Sequence, residues 1–238
     1  MKSNFEFLNR YWPALAQIGA TAETYVYSDP NACIYKLGIF AERLVQEILA
    51  FEHLAEPTVD NNHANRIRLL KRAGLLPHEI DNTLYVLRKT RNSAVHTGAD
   101  SIEEAKTLLS LTYNLAVWFM ETYGDWGYIA PEFVMPGETM HEDLKSVIAE
   151  QEQRIKALTK QLAAVTTAAS GKTQKERAKQ SESVSAMMNW SEAQTRCLID
   201  EQLRLSGWEA DTQSLRYSKG TRPIKGRNIA ISEWPTNS

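Results

Sequence analysis

Behind Asp29-Pro30 the chain carries a stripe that only an α-helix brings to one side: Cys33, Leu37, Phe40, Leu44, Ile48 and Phe51, spaced by threes and fours. Asp29 can cap the first free backbone N–H groups, and Pro30 fits the first turn, where its missing N–H is not needed. Pro57 and the polar run VDNNHAN close the helix. A helix this long and this one-sided needs other apolar faces to pack on, and they are present. Asn4 to about Ala22 sets Phe5, Leu8, Trp12, Leu15 and Ile18 at helical spacing, with Pro13 either kinking that helix or marking its true first turn. Asn65 to Ala73 reads as a short helix closed by Gly74, and Pro77 to His96 as a longer one with Ile80, Leu84 and Leu87 on its apolar face. Ser101-Ile-Glu-Glu is a capping box that opens a helix running to Gly124. Short connections and no convincing hairpin predict an all-α bundle over residues 1–130.

The rest of the composition narrows the class. At 238 residues with 43% hydrophobic content, the chain holds a full helical domain plus an appendage. The net charge of −2 means that the molecule as a whole is not a polyanion binder, although cations concentrate after Leu215. Cys33 and Cys197 lie far apart with no ligand-like spacing, which argues against a disulfide framework and against a zinc site and fits a reducing, cytoplasmic setting. No signal peptide is expected from MKSNFEFLNRYWPALAQ. The most apolar helix, Leu108 to Met120, is interrupted by Thr112 and Asn114 and is too short for a membrane anchor.

Beyond Gly124 the composition changes. DWGYIAPEFVMPGETM is predicted to be an extended segment lying back on the bundle. From His141, Leu144, Ile148, Gln151, Ile155, Leu158, Leu162 and Val165 form a heptad seam with a polar interruption at Gln151. A coiled coil giving weak self-association through 144–165 and a solitary helical spacer both fit. Residues Thr166 to Ser185 offer Val184 as their one sizeable apolar group and read as a mobile linker, so that 131–185 comprises extended segment, spacer and linker. Gly171-Lys-Thr lacks the earlier glycine and the preceding strand of a phosphate-binding loop, and no helicase motor is expected in this chain.

Chemistry within the bundle would have to come from Arg88-Lys-Thr-Arg91-Asn92-Ser-Ala-Val-His96-Thr-Gly. Gly98 puts His96 at a helix C-terminus, where the dipole favours its protonated form. The Arg91 to His96 spacing resembles the Arg-x4-6-His motif of the HEPN superfamily, helical bundles of which many are metal-independent ribonucleases acting as dimers. That resemblance implies a histidine moving the proton of a ribose hydroxyl or leaving oxygen, and an arginine holding transition-state phosphate charge. The competing expectation is structural: Arg88 and Arg91, one turn apart, share an acid such as Glu103 or Glu104, and His96 caps carbonyls.

Asn189 to Ser238 is the most specific run. Ser191 caps a helix to Arg204 with Leu198, Ile199 and Leu203 on one face, and Gly207 stops it. Trp208 and Ala210 enter an extended segment. From Leu215 to Arg227 stand Arg216, Lys219, Arg222, Lys225 and Arg227 with no acid among them. Ile229 to Trp234 then alternates as a strand, with Glu233 near its end. The motifs SEAQTR, LID, GWEADT, LRYSKGTRP, KGRN and AISEWPT resemble the start of the nuclease domain in the R subunit of K-type type I restriction endonucleases, which also carry an N-terminal helical domain. The resemblance implies a PD-(D/E)xK nuclease core at 186–238, incomplete here, with Glu233 as a core acid and the basic loop contacting DNA. It places the main metal ligands of that core after Ser238, so no metal site, and no DNA cleavage, is expected of this chain by itself. Magnesium and ATP are implied for the complete family member, and modification and specificity subunits as partners. The predicted architecture is mainly α: a HEPN-like bundle, a long helix or coiled-coil spacer, and a small truncated α/β edge. A free-standing HEPN-type ribonuclease or toxin-like protein using Arg91 and His96 is the alternative.

Overall fold

Pro13 and Pro30 each stand in the first turn of a helix, where no intrahelical N–H is required. The run from Asn4 is therefore split into a 3-10 turn, Glu6–Arg10, and α1, Pro13–Tyr25. The Asp29 carboxylate accepts from the Ala32 N–H at 2.9 Å and starts α2, Pro30–Phe51. Asn62 caps α3, His63–Arg72, which is followed by α4, His78–Thr97; Ser101 caps α5, Ile102–Phe119, which runs into a π turn, Met120–Gly124. The structure, a computed structural model, describes residues 3–57, 60–97, 101–137 and 173–235. The heptad seam at 144–165 lies outside the described residues.

The chain forms two compact units, Met1–Met188 and Asn189–Ser238. In the first, α2 is the axis, and α1, α3, α4 and α5 all pack on it. Its stripe is the core: Cys33, Leu37, Phe40, Leu44 and Ile48 are 0% exposed. Each such fully buried aliphatic or aromatic side chain stabilises the fold by about 1.5–3 kcal/mol. Phe5 meets Phe40 at 5.4 Å between ring centres, and Trp12 meets Phe119 at 4.2 Å. Two glycines permit close approach: a Cβ on Gly19 would enter the Phe5 ring, and one on Gly38 would stand 2.5 Å from Cβ of Arg91. Gly38 thus brings α2 and α4 together at Arg91.

Residues 125–137 lie on this unit. The Tyr113 hydroxyl donates to the Pro131 carbonyl at 2.5 Å, and Asn4 and Val134 exchange two hydrogen bonds of 2.8 and 2.9 Å. The linker expected at 166–185 is corrected from Gln174 onward, where α6, Gln174–Met187, packs against α5 and the π turn. Its capping box joins Thr173 and Glu176, and its inward face is polar: Arg177, Ser181 and Ser185 are buried with Val184. Arg177 donates to Glu52 from Nε at 2.6 Å and Nη2 at 2.8 Å, and Trp118 Nε1 donates to Ser181 Oγ at 3.1 Å.

The second unit opens with α7, Glu192–Leu205, whose capping box joins Ser191 and Gln194. Its buried residues are Gln194, Leu198 and Glu201, whereas Ile199, expected on the packed face, is 45% exposed. Two short strands, β1 (Glu209–Ala210) and β2 (Ile229–Ala230), pair in parallel with Glu209 opposite Ile229, and Arg216 bridges Ser232. The strand expected over Ile229–Trp234 is limited to Ile229–Ala230 with an isolated bridge at Ser232, and Glu233 just beyond that bridge adopts φ 57°, a left-handed conformation. Among the described residues seven α-helices and this two-stranded ribbon make a mainly α protein, and no helix is long and apolar enough to cross a membrane.

Candidate functional site

Arg91 is held where α4 crosses α2. Its Nη1 donates to Glu42 Oε2 at 2.7 Å, and its guanidinium lies over the Tyr35 ring at 5.3 Å. The other Glu42 oxygen accepts from Arg66 Nη1 at 3.0 Å, and Arg66 also binds Glu56 Oε2 through Nε and Nη2, at 3.3 and 3.2 Å. The partner expected for Arg91, Glu103 or Glu104, is therefore corrected to Glu42 from α2, while Glu103 accepts from Lys106 at 2.9 Å. Arg88 rests over the Tyr85 ring at 5.2 Å. His96 lies in the last turn of α4, and its side chain is outside the described residues. His63 is buried nearby: burial, with the charges of Arg88, Arg91 and Arg66, outweighs the pull of Glu42 and brings its pKa from 6.5 to about 4. Burial pushes the Cys33 thiol up to about 12, which leaves it without nucleophilic character at neutral pH.

In the second unit the five predicted cations divide. Arg216 donates to the Thr212 carbonyl at 2.7 Å and to Glu233 Oε1 at 3.1 Å, and Arg227 pairs with Glu209 across the ribbon. Arg222 stacks 3.8 Å from the Tyr217 ring centre and donates to the Tyr217 and Thr221 carbonyls. Lys219 and Lys225 are exposed and take no ion pair among the described residues. The loop thus combines three guanidinium groups fixed in place with two ammonium groups open to solvent, an arrangement that suits phosphates tracked along a strand.

Asp200 and Asp211 shape the approach to this loop. Thr212 donates to Asp200 from N at 2.6 Å and from Oγ1 at 2.8 Å, and the Asp211 carboxylate accepts from the Gln213 and Ser214 amides. Burial works to raise the Asp211 pKa, but the bonds from Ser214 and Gln213 and the charge of Arg204 together bring it below the usual range. Glu233 offers one carboxylate, and its oxygens accept from Arg216 at 3.1 Å and from Ser218 Oγ at 2.9 Å. Among the described residues no group of three or more His, Cys, Asp or Glu side chains is placed to hold a metal ion. Magnesium needs further oxygen ligands, so the residues described here do not by themselves fit it.

A family model described as "Domain of unknown function (DUF4145)" matches residues 20–157, more than half of the chain. The chain belongs to that family. A second model, "Type I restriction enzyme EcoKI endonuclease subunit second domain", matches residues 209–238, from β1 through the basic loop. The type I restriction enzyme EcoKI endonuclease subunit of Escherichia coli strain K12 is 31% identical over 293 aligned residues, covering 99% of this chain and 24% of that relative. The R-subunit resemblance carried by the motifs after Ser191 therefore holds over the whole chain, which spans about a quarter of the relative's length. No solved structure matches.

Glu42, Arg66 and His63 were not singled out by the sequence motifs. Glu42 lies 49 residues from Arg91, so no local spacing joins them. The available signal was Gly38, a glycine inside a long helical stripe, which costs about 1 kcal/mol against alanine and so points to a close packing partner.

Proposed function

We propose that this chain forms the N-terminal region of the R subunit of a type I restriction endonuclease and serves the restriction of foreign DNA. The observation that carries the reading is the identity to an endonuclease subunit across 99% of the chain, with the second-domain match falling on the basic loop. In this reading the first unit, HEPN-like, docks the modification and specificity subunits. The second is the opening edge of a PD-(D/E)xK nuclease domain, and its loop lies along DNA. Intramolecular bonds fix the positions of Arg216, Arg222 and Arg227, and Lys219 and Lys225 reach for phosphates. Magnesium and ATP belong to the complete family member.

Arg91 and His96 serve the bundle in this reading. Glu42 occupies the Arg91 guanidinium and Gly38 seats its stem, which is the behaviour of a packing cation. The DNA contact is tested by fluorescence anisotropy of the whole chain on a short duplex across a salt series. Replacing Lys219 and Lys225 together by Gln should make the slope of log K against log salt shallower by about 1.8, one counterion term of about 0.9 per lost phosphate contact. Equal slopes and affinities for the two proteins would remove the loop from the DNA interface.

A further inference from the structure

His63, the first residue of α3, is a buried group that none of the functions above uses. It is 6% exposed, and neither ring nitrogen has a hydrogen-bond partner among the described residues. A neutral imidazole has one N–H to donate, and a buried donor with no acceptor is costly enough to require an explanation. The charged groups that act on this ring are Glu42, Arg66, Arg88 and Arg91. Arg66 and Arg91 are matched by Glu42 and Glu56, but Arg88 has a ring contact with Tyr85 and no carboxylate among the described residues. Three guanidinium groups therefore face two carboxylates, which leaves one positive charge over. A small oxyanion satisfies both the missing acceptor and the surplus charge.

We propose that His63 and Arg88 form a binding site for a phosphate group, His63 donating its ring N–H to one oxygen and Arg88 its guanidinium to others. Arg66 and Arg91, clamped on Glu42, supply a fixed positive field beside it. Each oxygen of Glu42 accepts from an arginine, and neither His63 nitrogen has a partner among the described residues. The cluster reaches solvent at Glu42 and Arg91, which are 27% and 24% exposed. Arg88 is held by a cation–π contact, one of the weaker restraints on a guanidinium, and swings from Tyr85 onto the ligand. The phosphate comes either from a free nucleotide or from a nucleic-acid backbone, since the recognising chemistry is shared. The site goes beyond the restriction reading and does not depend on it.

Isothermal titration calorimetry of the whole chain with inorganic phosphate, adenosine 5′-monophosphate and a single-stranded oligoribonucleotide tests the site. Saturable binding of phosphate is expected, weakened about tenfold or more in Arg88→Gln and in His63→Phe, the loss expected for a charge-assisted hydrogen bond. Arg88→Gln should melt at the wild-type temperature without phosphate and lack the rise that phosphate gives the wild type. Tighter binding of the mononucleotide identifies a free nucleotide as the source, and tighter binding of the oligonucleotide a nucleic-acid backbone. No saturable binding of any of the three by the wild type, or equal affinities in wild type and both variants, overturns the proposal.

Discussion

Arg91 and Gly38 depend on each other. Alanine at position 38 should favour the helix by about 1 kcal/mol on propensity alone. Its methyl group would instead stand 2.5 Å from Cβ of Arg91, so the stem of Arg91 or the α2–α4 spacing has to give. Gly38→Ala is therefore expected to destabilise by about 1–3 kcal/mol, the usual cost of overpacking. Combined with Arg91→Gly, which removes that Cβ together with the rest of the stem, the loss should shrink well below the sum of the two single losses. Urea melts of the four proteins measure the cycle, and additive losses would show that the two residues are not in contact. His63 supports a pH prediction. Its folded pKa of about 4 lies below the ordinary 6.5, so the unfolded chain takes up the proton first. The associated stability is fully present above pH 6.5 and is lost as pH falls from 6.5 toward 4. Between pH 7 and pH 4.5 this amounts to roughly 2–3 kcal/mol. Glu23 and Glu47, whose carboxyls are pushed up chiefly by burial, work in the opposite direction. In phosphate-free buffer His63→Phe should therefore gain on the wild type as the pH is lowered, and parallel pH curves for the two proteins would contradict the burial of a neutral ring.

Among the elements, α6 shows what sequence patterning reaches and what it misses. The helices of the bundle were legible because their signals are local and apolar: the stripe of α2, Asp29-Pro30, the Ser101 cap and Gly74 after α3. Helix α6 presents Arg177, Ser181, Val184 and Ser185 inward, and such a polar stripe at helical spacing resembles a solvated linker when hydrophobic residues are counted. What it meets, Glu52, Trp118, Leu75 and Glu79, comes from distant parts of the chain. Ile199 was misplaced for a related reason. The inward residues of α7 beside Leu198 are Gln194 and Glu201, polar positions that an apolar count passes over. The Arg177–Glu52 pair is the anchor of α6, with its side chains 7% and 0% exposed. Glu52→Gln leaves a buried guanidinium without its counter-charge and should cost about 3–5 kcal/mol, whereas replacing both residues by Met should cost much less than that. Hydrogen exchange of the α6 amides and urea denaturation report the effect. A loss under about 1 kcal/mol in Glu52→Gln would mean that α6 is held by its other contacts.

At the scale of the molecule the two units differ in how they are stabilised. The first has a continuous apolar core around α2, from Phe5 to Phe119. The second, about fifty residues long, buries Leu198 and Ala210 among its hydrophobic residues while Ile199, Leu205, Trp208, Ile224 and Trp234 are 43–62% exposed. Its order rests on polar contacts: Thr212 on Asp200, Arg204 on the Ala210 carbonyl at 2.6 Å, and Arg227 on Glu209. Exposed ion pairs contribute about 0–1 kcal/mol each, and a unit below about 70–80 residues seldom has enough core to be firmly stable. The proposed reading explains the imbalance, since the rest of a nuclease domain would cover these apolar side chains. The second unit should therefore open well before the first. Native-state hydrogen exchange is expected to show α7 and the ribbon exchanging orders of magnitude faster than the central turns of α2, and calorimetry to show a small early transition ahead of the main one. Added salt should move the early transition more than the main one, because surface pairs are screened and the apolar core is not. A single transition whose calorimetric and van't Hoff enthalpies agree, with α7 protected as strongly as α2, would show that the second unit draws its stability from the first and that the bare apolar residues need no further partner.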